Sequence, residues 1–214
     1  MKVKTEARRQ AILDVAAEAF REHGFERTSM NEICARVGGS KATLYNYFAS
    51  KEELFFEVMM AASERDFEAT HQFIDPAEKG LAYALRYFGE RFIAFIYSPQ
   101  VLANRVLAIA EAGRTNLGRL TYERAVLRSR RLIAEYLAAA MRAGLLRKAD
   151  ANIATVHLMS LLESELLEAS LLRVVDKVEP KQIKDGVARA VDVFMAAYGS
   201  TDDKPKGTRV SARK

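Results

Sequence analysis

The sequence predicts an all-α protein on three observations. Apolar residues recur at i, i+3, i+4 and i+7 along most of the 214 residues, no stretch alternates as a strand would, and Pro76, Pro99 and Pro180 each precede a helical stripe. Half of the residues are hydrophobic, which excludes a disordered chain and supplies core for one or two domains. No apolar run approaches the roughly 18 residues of a membrane span, and the polar start MKVKTEARRQ does not resemble a signal peptide. A single cysteine, Cys34, excludes an intramolecular disulfide framework, so a cytoplasmic location and no membrane partner are expected.

The elements follow in order. Ile12, Val15, Ala16, Ala19 and Phe20 form the stripe of a first amphipathic helix, which Gly24 should end. Met30, Ile33, Cys34 and Val37 repeat the pattern in a shorter helix that opens on the capping box Ser29-Met-Asn-Glu32 and stops at Gly38-Gly39. Ser40 is placed to cap a very short helix from Lys41 to about Tyr47. A second capping box, Ser50-Lys-Glu-Glu53, opens a long helix from Lys51 towards Phe73. Further helices are expected near 76–97, 99–111, 119–143, 150–175 and 180–198, with residues 199–214 as a disordered basic tail. The domains then read as a three-helix helix-turn-helix unit over 1–50, a helical domain over 51–198, and the tail.

Charge is uneven along the chain. Residues 1–51 and 199–214 each carry net +3, whereas the middle is close to neutral. Positive ends suit an anionic partner such as nucleic acid, although solvated surface charge would give the same balance.

The segment 29–48 has the parts of a helix-turn-helix: an amphipathic helix, a short glycine turn and a second short helix. At about 100° per residue, Leu44 and Phe48 fall on one face, which must pack inward. Ala42, Thr43 and Asn46 fall on the opposite face, flanked by Tyr45 and Tyr47. Small residues allow close approach to a major groove, the methyls of Ala42 and Thr43 can meet a thymine methyl, and Asn46 can pair with adenine. Lys41, Lys51 and the tyrosine hydroxyls suit phosphate oxygens, which position a helix without specifying sequence. Double-stranded DNA is the partner this face predicts.

These residues carry a resemblance. ARRQAILDVAAEAF through GFERTSMNEICARVGGSKATLYNYFASKEELFFEVM closely resembles the DNA-binding domain of the TetR family of transcriptional regulators, with SKATLYNYFASKEEL the most specific piece. Ala42 replaces a frequent Gly, and Gly39 replaces the usual Val of the turn, a change expected to loosen it. The resemblance implies DNA contacts at Ser29, Lys41, Ala42, Thr43, Tyr45, Tyr47 and Lys51; the face argument and the cap add Asn46 and Ser40. Farther on, SPQVLANRVLAIAEA and YLAAAMRAGLL resemble the C-terminal domain of the family's AefR-like branch. That resemblance implies a dimer interface and a cavity for an inducing small molecule.

Other sites are weaker. His23, His71 and His157 are scattered without paired metal-ligand spacing, and Cys34 lies on an apolar stripe, so neither catalysis nor a cofactor or metal is expected. Phe88, Phe92, Phe95, Leu102, Val106 and Ile109 are candidate pocket walls or plain core stripes. Ser160 and Glu163 are polar exceptions on an apolar helix; Glu163 contacts a ligand, pairs with an arginine or faces water. Leu158, Leu161, Leu162, Leu166, Val187, Val191 and Phe194 are expected to form a four-helix interface in a homodimer, with burial inside one chain as the alternative. The whole predicts a ligand-responsive DNA-binding repressor whose long fourth helix acts as a lever. The alternative is a helical protein-interaction adaptor without specific DNA binding.

Overall fold

The computed structural model describes residues 5–175 and 177–200. Twelve α-helices are formed among them: α1 (Glu6–Arg27), α2 (Met30–Val37), α3 (Lys41–Tyr47), α4 (Lys51–Thr70), α5 (Pro76–Lys79), α6 (Leu81–Ile96), α7 (Pro99–Glu111), α8 (Leu117–Thr121), α9 (Leu127–Arg142), α10 (Ala151–Glu163), α11 (Leu167–Leu171) and α12 (Pro180–Tyr198). One π-helical turn, Tyr122–Val126, connects α8 to α9. The expected all-α class holds, and local chemistry explains most boundaries. Thr5 caps α1 by accepting from the amide of Arg8. Gly24, at φ 75°, breaks the α1 backbone where the sequence predicts a stop, and one more turn follows to Arg27. Thr28 seals this end, its buried hydroxyl donating to the carbonyls of Gly24 at 2.7 Å and Ala19 at 3.2 Å.

Several long helices expected from periodicity are divided. Gly80, at φ 83°, separates α5 from α6 within the stretch 76–97. The stretch 119–143 contains the π turn, an insertion that an apolar period does not reveal. The stretch 150–175 ends its first helix at Glu163 and resumes only as the short α11, which closes on Arg173 in a left-handed conformation (φ 54°). Residues 199 and 200, expected in the tail, are tied down: the amide of Arg147 donates to Tyr198 O at 2.9 Å and that of Ser200 to Leu145 O at 3.4 Å. The rest of the expected tail lies outside the described residues.

The chain forms two compact units. One comprises the residues up to Glu68 together with Gln100–Val126; the other comprises Ala69–Pro99 and the chain from Leu127 onward. This division differs from the expected boundary at residue 50, because Leu54, Phe55 and Phe56 of α4 are buried in the first unit's core. There Phe55 meets Phe20 edge-on at 4.9 Å and Phe25 at 4.9 Å, alongside Ile12, Ala16 and Ile33. Ala108, Leu117 and Leu120 complete the same core.

The second unit is a helical layer of α6, α9, α10 and α12. Its interior holds Phe88, Ile93, Ile133, Leu137, Leu158 and Phe194, each at 1 % exposure or less. Phe73 stacks on Tyr136 at 4.4 Å and lies 4.9 Å from Phe88. Tyr136 donates to Ile74 O at 3.1 Å; burial first, then the charge of Asp75, push its pKa up to about 12, so it remains a neutral donor. Gly89 lets α6 approach its neighbours: a methyl there would lie 2.7 Å from Val187 Cγ1 and 2.8 Å from Leu162 Cδ2.

Gly89→Ala therefore opposes two effects. Overpacking costs about 1–3 kcal/mol, while better helix propensity returns at most about 1 kcal/mol. Urea unfolding is expected to show a lowered midpoint at unchanged slope, with a net loss of up to about 2 kcal/mol; an unchanged midpoint would show that the contact has slack.

Candidate nucleic-acid interface

The helix pair α2–α3 is built from its caps inward. Ser29 accepts from the amide of Glu32 at 3.2 Å, and Ser40 from the amide of Thr43 at 3.1 Å. Both serines expected among the DNA contacts thus serve as N-caps. The Glu32 carboxylate turns to Arg36 at 2.7 Å rather than closing its capping box, and Arg36 also bonds Glu22 of α1 at 2.7 Å. That pairing holds the Glu22 carboxyl below its ordinary range, chiefly through the hydrogen bond. At the second predicted box Ser50 Oγ accepts from Glu53 N at 3.2 Å, while the Glu53 carboxylate reaches past the cap to accept from Ala49 N at 2.9 Å.

The two faces of α3 are those the periodicity predicts. Leu44 is 3 % exposed and Phe48, its C-cap, 1 %. Lys41, Ala42, Tyr45 and Asn46 are exposed, and Thr43 is half-buried with its hydroxyl 3.0 Å from that of Ser40. A small, polar and cationic surface therefore stands opposite two anchoring side chains. Tyr47 lies half-buried on the flank, its hydroxyl accepting from the amide of Thr5 at 3.0 Å, which leaves its hydrogen free to donate.

Lys51 has a different local role from the one expected. Its ammonium donates to Phe25 O at 2.8 Å and Glu26 O at 3.3 Å and sits 4.3 Å from the centre of the Phe25 ring. It neutralises the carbonyl end of α1, where a cation is favoured, so a phosphate would have to share it. Sequence reasoning missed two other side chains. Arg8 donates to Gly38 O in the turn, and Arg124 of the π turn bridges Glu53 at 3.3 Å and Glu57 at 3.1 Å at the start of α4. Glu57 also takes Arg9 of α1. No local pattern signals these pairs, because they join residues 30 or more positions apart.

The candidate pocket and interface residues need correction. Phe88 and Phe92 are core, 1 % and 3 % exposed, with ring centroids 5.5 Å apart. Phe95 is half-buried, and Ser160 is exposed. Glu163 is half-buried and accepts from Tyr97 Oη at 3.2 Å. Leu102 and Val106 are half-buried in the other compact unit, and Ile109 is 57 % exposed. A 3.6-residue stripe is the same for a core and for a pocket wall, so periodicity alone does not separate them. Similarly, Leu158, Leu162, Val187, Val191 and Phe194 are 0–3 % exposed within one chain and have no surface left for a partner. Leu161 and Leu166 are half-buried. The residues that do face outward are Ile153, His157, Ser160 and Ser164 on or beside α10, and Arg189, Val193, Ala196 and Ala197 on α12.

Known proteins share this arrangement. Residues 12–58 match the model for bacterial regulatory proteins of the tetR family, and residues 83–200 match that for the C-terminal domain of AefR-like transcriptional repressors. The HTH-type transcriptional regulator UidR of Escherichia coli is 37% identical over 78 residues, which cover 36% of this chain and 38% of UidR. The match thus spans well under half the length of that relative. Two solved structures extend over the whole fold. A putative TetR-family regulator from Mesorhizobium loti has a TM-score of 0.74 at 26% identity, covering 92% of this chain and 100% of that one. The Flavonoid-responsive Regulator FrrA has a TM-score of 0.73 at 29% identity with the same coverage. With a family model spanning more than half of its residues, an intact capped helix-turn-helix and an all-helical remainder, this chain belongs to the TetR family of bacterial transcriptional regulators.

Proposed function

We propose that the chain is a homodimeric repressor that binds operator DNA through α3 and is released by a small-molecule effector, acting in the cytoplasm. The observation that carries the reading is the division of α3 into a buried Leu44–Phe48 anchor and an exposed Lys41, Ala42, Tyr45 and Asn46 surface. A protein-interaction adaptor has no need of such a face, and family membership favours DNA. Two copies of α3 about 34–36 Å apart enter successive major grooves on one side of the duplex. An effector lowers operator affinity by its differential affinity for a second spacing.

The effector is a small molecule handled by the second unit, most of which lies within the AefR-like C-terminal match. FrrA is described as flavonoid-responsive, which makes a planar aromatic effector the first class to test. No described helix is long and apolar enough to cross a membrane.

Two measurements test this. In a salt series with operator-length duplex, Lys41→Ala is expected to lower affinity for all sequences alike and to reduce the salt slope by about one per subunit, or about two for the bound dimer. Asn46→Ala is instead expected to relax preference at one base pair per half-site by about 1–3 kcal/mol. If neither variant changes binding while both remain folded, α3 does not read DNA. For assembly, Val193→Glu places a charge on a residue that is 54 % exposed and should leave the fold intact. Sedimentation is expected to show it monomeric and weak on operator, whereas a Val193→Glu dimer would move the interface elsewhere.

A further inference from the structure

The turn between α2 and α3 contains two consecutive glycines, both at positive φ: Gly38 at 69° and Gly39 at 141°. Such a turn has little intrinsic stiffness, since neither residue has a Cβ to restrict it. It nevertheless sets the direction in which α3 leaves α2. Something outside the turn must hold it.

Arg8, from the first turns of α1, does so. Its guanidinium donates to Gly38 O, a bond between residues 30 positions apart. It also occupies the space beside Gly39: a methyl added there would lie 3.0 Å from Arg8 Nη2. Beneath it, Cys34 Sγ donates weakly to Gly39 O at 3.4 Å. Arg8, Ile12, Cys34, Val37, Thr43 and Leu44 line one small hollow under the turn. The guanidinium thus stands where a turn residue with a side chain would supply its own packing. This gives the Gly39 departure a physical counterpart, because the side chain missing from the turn is replaced from α1.

We propose that Arg8 is a specificity-determining positioning residue: it braces the Gly38–Gly39 turn and so fixes the angle at which α3 presents its surface to base edges. The role is distinct from phosphate binding. Losing the brace changes where α3 points, so base readout falls while non-specific attraction to the duplex remains. The inference rests on the reading of α3 as the DNA-contacting helix.

The test uses the full chain and its variants Arg8→Ala, Gly39→Ala and the double variant. Each is titrated against an operator selected from random DNA and against a scrambled duplex, over a salt series, with thermal unfolding recorded in parallel. Arg8→Ala and Gly39→Ala are each expected to lower the ratio of operator to scrambled affinity about tenfold, with scrambled affinity and salt slope unchanged. In the Arg8→Ala background, Gly39→Ala should cost less than in the parent, because the contact with the guanidinium is already gone and only the backbone strain at φ 141° remains. A fall in scrambled affinity together with a salt slope reduced by about one per bound subunit would make Arg8 a phosphate contact and overturn the proposal. An unchanged ratio with lowered thermal stability would reduce Arg8 to a structural residue. Equal costs of Gly39→Ala in both backgrounds would assign them to backbone strain alone. If the parent protein itself prefers no sequence, the DNA-reading assignment of α3 fails first, and that result is separate from the other three.

Discussion

A seven-residue helix does not hold itself together in water, and the rest of the first unit exists around that constraint. Isolated helices need roughly 12–15 residues to be even marginal, because nucleation consumes the first turns. α3 spans only Lys41–Tyr47, so its conformation depends on what is attached to it. Leu44 and Phe48 sink into the core formed by α1, α2 and α4, Ser40 satisfies an amide at one end, and the amide of Phe48 returns to Leu44 O at the other. This leaves the outer surface of α3 almost free of structural duty. Ala42, Tyr45 and Asn46 occupy it, exposed and not needed for the anchor.

The surrounding electrostatics serve the same anchor. Lys51 neutralises the end of α1, Arg36 joins Glu22 to Glu32, and Arg9 and Arg124 converge on Glu57. Exposed pairs of this kind contribute little individually, on the order of 0–1 kcal/mol. Their value lies in geometry, since each joins helices that are separated in sequence around the short one. Arg124 is notable for its place in the chain. It lies in the π turn that ends at Val126, immediately before the chain passes into the second compact unit. Together with α4, which runs from Lys51 to Thr70 across the boundary after Glu68, this is one of the places where the chain passes from one unit to the other.

How much of this was legible in the sequence depends on the range of the interaction. The three N-terminal helices, the serine caps of α2 and α3, the Gly24 break and the division of α3 into two faces follow from patterns within a few residues, and each was readable from spacing. The division of 76–97 at Gly80 and the π turn inside 119–143 were not, because an apolar stripe continues through both. Pocket and interface residues were not separable from core for a different reason. Phe88, Leu158, Val187 and Phe194 carry the same periodic signal whether they face their own chain or another molecule, and only packing decides. Arg8 and Arg124 were missed because their partners lie 30 to 71 residues away.

The account's central claim is that α3 reads base sequence from a pair of copies. Selection of bound fragments from a random duplex pool by the unmodified chain, repeated at two salt concentrations, tests it most directly. The expected result is enrichment of a two-fold symmetric motif whose half-site centres lie one helical turn or a multiple apart, with overall affinity falling steeply as salt rises. Retention of DNA without any enriched motif, or no salt-sensitive retention, would contradict the claim.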